Sequence, residues 1–128
     1  MITINHVSVY ANNPSACTRK LIAMLGGYTT QFMPVPGGCM YYFGNGSDEF
    51  IEFYPKTHTI IRKGTRPDFA SLQKPVNGVA THIHLQVDVA LDEVAKKATQ
   101  LGLVNGLRYQ GFLDVWLEED LLTEISSA

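Results

Sequence analysis

The sequence predicts an α+β protein in which two βαβββ modules form one cupped, barrel-like mixed sheet with helices outside. Two observations carry this. The chain repeats itself at a constant offset, and each half runs through one alternating strand, one helix and three further β-rich stretches. The repeat sets Asn5-His6-Val7-Ser8-Val9-Tyr10-Ala11-Asn12 over Thr81-His82-Ile83-His84-Leu85-Gln86-Val87-Asp88, each pair 76 positions apart. Leu25-Gly26 lies over Leu101-Gly102 at the same spacing, so the distance from first strand to helix end is kept without a gap.

Each half opens on a half-buried strand. Val7 and Val9 oppose His6, Ser8 and Tyr10, and later Ile83, Leu85 and Val87 oppose His82, His84 and Gln86. A helix follows, with Asn13 as N-cap and Pro14 at its first position in one half and Asp88 in the capping role in the other. Helical spacing of Cys17, Leu21, Met24 and Leu25, and of Leu91, Val94, Ala95, Ala98 and Leu101, gives each helix one apolar stripe. Gly26 and Gly102 supply the left-handed residue that ends them. Three β-rich runs come next, roughly Tyr28 to Met33, Cys39 to Phe43 and Glu49 to Tyr54, broken by Pro36-Gly37-Gly38 and Gly44-Asn45-Gly46. Their counterparts are Gly106 to Gln110, Phe112 to Glu118 and Leu121 to Ser126, with Glu119-Asp120 as the last turn. Residues from about Pro55 to Gly78 show no periodicity and read as a linker or lid. Residues 1–128 thus form a single domain, with module 1 over about 1–54 and module 2 over about 79–128.

The composition allows a real core, since 45% of residues are hydrophobic and 17% charged. A net charge of −2 with Lys and Arg scattered along the chain excludes a basic nucleic-acid footprint. No apolar run approaches the ~20 residues that span a bilayer, and the N-terminus lacks a signal peptide's pattern. A soluble, cytoplasmic protein without a membrane partner is expected. Cys17 and Cys39 do not make a disulfide framework or a CxxC pair.

The chemistry lies in a His from the first strand and a Glu from the last strand of each half: His6 and Glu52, His82 and Glu124. Two cupped modules would bring these four strands together, so that two imidazoles and two carboxylates converge. Such donors suit a divalent ion, Ni, Zn, Co, Fe or Mn, and leave positions open for water or substrate oxygens. Glu52 interrupts the apolar run Phe50-Ile51-Glu52-Phe53-Tyr54, where an ionised carboxylate needs a partner. Read singly, Glu52 also suits a solvated strand face, and His6 suits a structural histidine. His84 shares the face of His82 and competes with it as ligand, while His58 reads as a solvated loop residue. Glu118, Glu119 and Asp120 read as a charged hairpin turn. Tyr10, Tyr54, His84, Gln86 and Tyr109 are candidates for lining the cup.

At these residues the chain resembles the glyoxalase/bleomycin-resistance/extradiol-dioxygenase (vicinal-oxygen-chelate) superfamily, and glyoxalase I among its members. The resemblance covers nearly the whole chain and is carried by the two openings at His6 and His82 and by Phe50-Ile51-Glu52-Phe53. It implies a metal held by His6, Glu52, His82 and Glu124, with Glu52 or Glu124 moving a proton between adjacent carbons of an enediolate. The implied function is a metal-dependent lyase or isomerase acting on a small oxygenated metabolite or thiol adduct. The chain departs from the family pattern at Leu21-Ile22-Ala23-Met24-Leu25, where an aromatic pair is common, and at Glu118-Glu119-Asp120-Leu121-Leu122, where a Gly-containing turn is common. A metal-free binder of the bleomycin-resistance kind is the alternative, and an Fe²⁺ extradiol-type dioxygenase a third. Pairing of two chains through sheet edges or exchanged modules would make a homodimer.

Overall fold

The computed structural model describes residues 3–76, 82–108 and 111–127. Module 1 comprises β1 (His6–Ala11), α1 (Pro14–Leu25), β2 (Tyr28–Gln31), β3 (Cys39–Tyr42) and β4 (Phe50–Pro55). The connection carries β5 (His58–Lys63) and β6 (Arg66–Ser71). Module 2 repeats the first order with β7 (Ile83–Val87), α2 (Leu91–Gln100), β8 (Asn105–Arg108), β9 (Phe112–Glu118) and β10 (Leu121–Ser127).

The helix starts differ in their capping chemistry. Asn13 Oδ1 accepts the Ala16 amide at 3.0 Å, and Pro14 occupies the first turn, as its sequence requires. In module 2 the capping position falls on Ala90, which makes no side-chain bond, so the expected cap at Asp88 is corrected. Asp88 lies two residues too early for its side chain to reach the free amides. Asp92 and Glu93 place negative charge in that first turn instead. Gly26 and Gly102, at φ +80° and +75°, close the helices as expected.

Both sheets have the same topology, β1-β4-β3-β2 and β7-β10-β9-β8, with β1 parallel to β4 and β7 parallel to β10. Period-two patterning then sorts the side chains. Val9, Ala11, Ile51 and Phe53 of one sheet, and Ile83, Leu113, Val115, Leu117 and Ile125 of the other, join Cys17, Leu21, Met24, Val94 and Ala98 from the helices in one core. Burying each of the larger side chains contributes about 1.5–3 kcal/mol. The helices therefore cover one face of each sheet and meet between them, leaving His6 and Glu52, and His82 and Glu124, on the opposite faces. Among the described residues β1 and β7 each pair on one side only. The single barrel-like sheet expected from the sequence is thus present as two open four-stranded sheets, because the shared helical core holds the sheets apart.

The connection is more ordered than its sequence suggests. β5 and β6 form a hairpin around Gly64, at φ +64°, with Pro67 opposite Arg62. A free-standing hairpin has unpaired edges on both sides, so the missing proline N–H breaks no ladder. Its periodicity was invisible because Ile60 and Ile61, on opposite faces, are both exposed. Arg62, Lys63 and Arg66 stand at its tip. At its base Phe69 packs edge-on to Tyr54 and Phe32.

Side chains also tie the modules together. Glu118 accepts the amides of Asn12 and Asn13 at 2.6 and 2.7 Å, and Lys20 Nζ donates to the Leu117 carbonyl at 2.7 Å. Lys56, 6% exposed, pairs with Asp120 at 2.6 Å. The charged turn expected at Glu118-Glu119-Asp120 is therefore also an inter-module joint. Among the described residues no helix is long and apolar enough to cross a membrane.

Candidate metal centre

Ladder register brings each His to its Glu. Ser8 pairs with Glu52 and His84 with Glu124, so in both modules the first-strand His stands two residues before the position facing the Glu. Side chains two apart on a strand share a face. His6 Nε2 accordingly lies 3.9 Å from Glu52 Oε1, and His82 Nε2 lies 2.6 Å from Glu124 Oε1. His84, though directly opposite Glu124, turns its Nε2 to Ser126 Oγ at 2.8 Å.

The two pairs do not meet within one chain. Among the described residues no three His, Cys, Asp or Glu side chains lie close enough together to hold one ion. Convergence of all four donors, expected from the sequence, is corrected at the level of the single chain: β1 and β7 are edges of separate sheets.

The module 1 pair fits a divalent ion. Adjacent donors about 2.1 Å from one ion stand roughly 3.0 to 3.4 Å apart in octahedral or tetrahedral geometry, so at 3.9 Å the pair is open enough to admit an ion and would close by about half an ångström onto it. The His6 ring stacks on Phe50 with centroids 4.6 Å apart, and its Nδ1 lies 3.0 Å from Asn5 Oδ1. With the proton on Nδ1 that contact is a hydrogen bond, which leaves the Nε2 lone pair facing Glu52. Glu52 is 6% exposed. Its Oε2 accepts from Ser8 Oγ at 2.6 Å and Tyr54 Oη at 2.8 Å, leaving Oε1 toward His6. Burial, with the neighbouring Glu52 charge, pushes the Tyr54 hydroxyl up to about 12, so it remains a donor.

Module 2 holds the same pair closed. A separation of 2.6 Å is below the roughly 3 Å between adjacent donors of an octahedral ion. Glu124 Oε2 is taken by Arg108 Nη2, while Arg108 Nε donates to Asp114 Oδ2 at 2.7 Å. The Arg108 hydrogen bond holds the Glu124 carboxyl below the usual carboxylate range. Among the described residues Asp114 Oδ1 is buried without a partner.

Tyr10 and Tyr54 line a small cavity of about 240 Å³ with Ser8, Thr59 and Ile60. His84 and Gln86 instead border a larger cleft between the modules, about 780 Å³, walled by Met24, Tyr41, Phe43 and Val94. Tyr109 lies outside the described residues. Sequence reading missed Ser8, Arg108 and Asp114. Asp114 carries a signal like that of Glu52, a carboxylate interrupting the apolar run Leu113-Asp114-Val115-Trp116-Leu117. Nothing local marks Ser8 or Arg108.

No protein-family model matches the sequence, and no curated protein matches it. Solved structures do match the fold. The fosfomycin resistance protein FosX from Mesorhizobium loti gives a TM-score of 0.63 at 15% identity, over 100% of this chain and 94% of its own. FosX from Listeria monocytogenes gives 0.61 at 16% identity, over 100% and 95%. An integron cassette protein from V. cholerae gives 0.61 at 16% identity, over 99% and 95%. A point variant of the Listeria FosX, matching with a TM-score of 0.60 at 15% identity over 100% and 94%, is complexed with Mn(II) and 1S,2S-dihydroxypropylphosphonic acid. The repeated order, the matching sheet topologies and these full-length superpositions give one result: the chain has the two-module βαβββ fold of the vicinal-oxygen-chelate proteins, the superfamily of FosX.

Proposed function

We propose that the protein is a divalent-metal enzyme of the vicinal-oxygen-chelate kind, acting on a small oxygenated metabolite or thiol adduct from a site that two chains complete. The observation that carries this is the His/Glu pair at the same register in both modules, on the sheet faces the helices leave open. His6 and Glu52 would hold the ion from one chain, and His82 and Glu124 from the second copy. Free edges on β1 and β7 support this arrangement, since joining β1 of one chain to β7 of another extends each sheet and brings the two pairs together. Mn(II) in the Listeria FosX variant supports a divalent ion.

When bound, the ion supplies Lewis-acid stabilisation of negative charge developing on a substrate oxygen. The chain supplies the rest. Glu52 receives hydrogen bonds from two neutral hydroxyls, whereas Glu124 faces a guanidinium. Ser8 and Tyr54 take only Oε2 of Glu52 and leave Oε1 without a hydrogen-bond donor among the described residues, whereas both oxygens of Glu124 are engaged by His82 and Arg108, so Glu52 is the proton-moving residue and Glu124 the ligand. Ser8 and Tyr54 hold Oε2 and orient Oε1 toward His6 and the cup. Proton transfer of the glyoxalase kind, between adjacent carbons, would need Oε1 to leave its ligand position, since Ser8 and Tyr54 hold Oε2.

The test is metal content of protein purified without chelator, followed by Ni²⁺, Mn²⁺ and Zn²⁺ titration of the stripped protein, of His6→Ala and of Glu52→Gln. Near-stoichiometric binding by the parent chain, lost in His6→Ala, is expected. Binding unaffected by both substitutions would sink the proposal. A second reading, metal-free ligand binding, draws on the cleft of about 780 Å³ lined by Tyr41 and Phe43, a volume typical of small-molecule sites. Tight binding of a planar aromatic ligand by stripped protein, with no metal uptake, would favour it.

A further inference from the structure

Arg108 is fixed on three sides. Its Nε donates to Asp114 Oδ2 at 2.7 Å, its Nη2 donates to Glu124 Oε2, and its guanidinium carbon lies 5.0 Å from the Phe112 ring centroid. Strand register explains the cluster. Arg108 of β8 pairs with Phe112 of β9, and Asp114 of β9 pairs with Glu124 of β10. Two carboxylates at facing positions on adjacent strands repel unless a cation stands between them.

Module 1 has no such arrangement. The position facing Glu52 on β3 is Met40, and the donors to Glu52 are hydroxyls. The repeat is thus broken at one place in charge: Glu124 carries a resident cation and Glu52 does not. The same contact accounts for the closed geometry of module 2, because Arg108 on Oε2 leaves Oε1 turned onto His82 at 2.6 Å.

We propose that Arg108 is an internal counter-cation that competes with the divalent ion for Glu124, so that metal enters the module 2 half of the site by exchange. The ion takes Glu124, and the guanidinium, still held by Asp114, gives it up. Arg108 is a positioning residue in this scheme: in the metal-free chain it screens Asp114 from Glu124 and keeps the half-site folded and shut. The inference rests on the reading of Glu124 as a ligand.

Stripped protein is titrated with Mn²⁺ and with Ni²⁺ by calorimetry, and its thermal unfolding is followed in chelator, for the parent chain, Arg108→Gln, Arg108→Lys and Glu124→Gln. Loss of the competitor should tighten metal binding by roughly three- to tenfold in Arg108→Gln and lower the metal-free Tm. Arg108→Lys, which keeps the charge without the fork, should fall between the two and covers the case in which Arg108→Gln does not fold. Metal affinity that is unchanged or weaker in both Arg108 variants would overturn the proposal, because Arg108 would then support the ligand geometry rather than oppose the ion. If Glu124→Gln leaves metal affinity as it was, the reading of the site fails first, and that result is distinct from a failure confined to Arg108.

Discussion

Glu118 Oε2 accepts the backbone amide of Asn13 at 2.7 Å across 105 residues of chain, so the last hairpin of module 2 caps the first helix of module 1. The carboxylate also takes the Asn12 amide, placing negative charge at the positive end of α1. Replacing Glu118 with Ala should cost about 1–2 kcal/mol, the range of a lost charged cap. Urea denaturation measures it, and an unshifted midpoint would mean that water caps the helix equally well.

Lys56 and Asp120 are a second joint, at 2.6 Å, with Asp120 Oδ1 buried and without a partner among the described residues. Lys56→Met leaves a carboxylate without its cation and should destabilise by about 1–3 kcal/mol. Lys56→Met combined with Asp120→Leu should recover most of that loss. A double variant no better than the single one would refute this view of the pair.

Ser8 and Tyr54 act through Glu52. Ser8→Ala and Tyr54→Phe should each weaken metal binding about tenfold while leaving His6 and Glu52 in place, as loss of an orienting hydrogen bond does in metal sites. Equal affinity in the parent and both variants would show that Oε2 needs no anchor.

Burial pushes the hydroxyls of Tyr41 and Tyr54 from 10 up to about 12. In this window the unfolded chain has released these protons and the folded chain retains them. The contribution of these two groups to stability should therefore be constant below pH 10 and fall as pH rises from 10 to 12. A spectrophotometric tyrosinate titration should show two late-ionising groups, lost in Tyr41→Phe and Tyr54→Phe respectively.

Two-chain completion of the site has a direct signature. Mixing His6→Ala with Glu124→Gln chains should restore tight metal binding at about one site in four, because half the dimers are mixed and each has one intact site. No restoration on mixing would refute completion of the site by two chains.

Much of the architecture was legible in the sequence. The offset of 76 between His6 and His82 exposed the repeat, and alternation at Val7-Ser8-Val9 and Ile83-His84-Leu85 marked the strands that carry the candidate ligands. Side-chain alternation is a local property of extended backbone, so it survives without knowledge of neighbours. The hairpin at His58–Ser71 was not legible, because both its faces are exposed and no apolar stripe distinguishes them. Asp88 misled for the opposite reason: it has the right chemistry for a cap, and helix packing started the helix later.

The sequence by itself determined the βαβββ repeat, the core stripes and the placing of one His and one Glu on the same face of each module, since spacing and periodicity act along the chain. Only the tertiary structure decided what each Glu faces. Packing both helices into one core parts the sheets, leaves β1 and β7 as free edges and divides the four candidate ligands into two pairs. Cross-strand register then gives Glu52 two hydroxyls and Glu124 a guanidinium, a difference set by residues distant in sequence that no local pattern encodes.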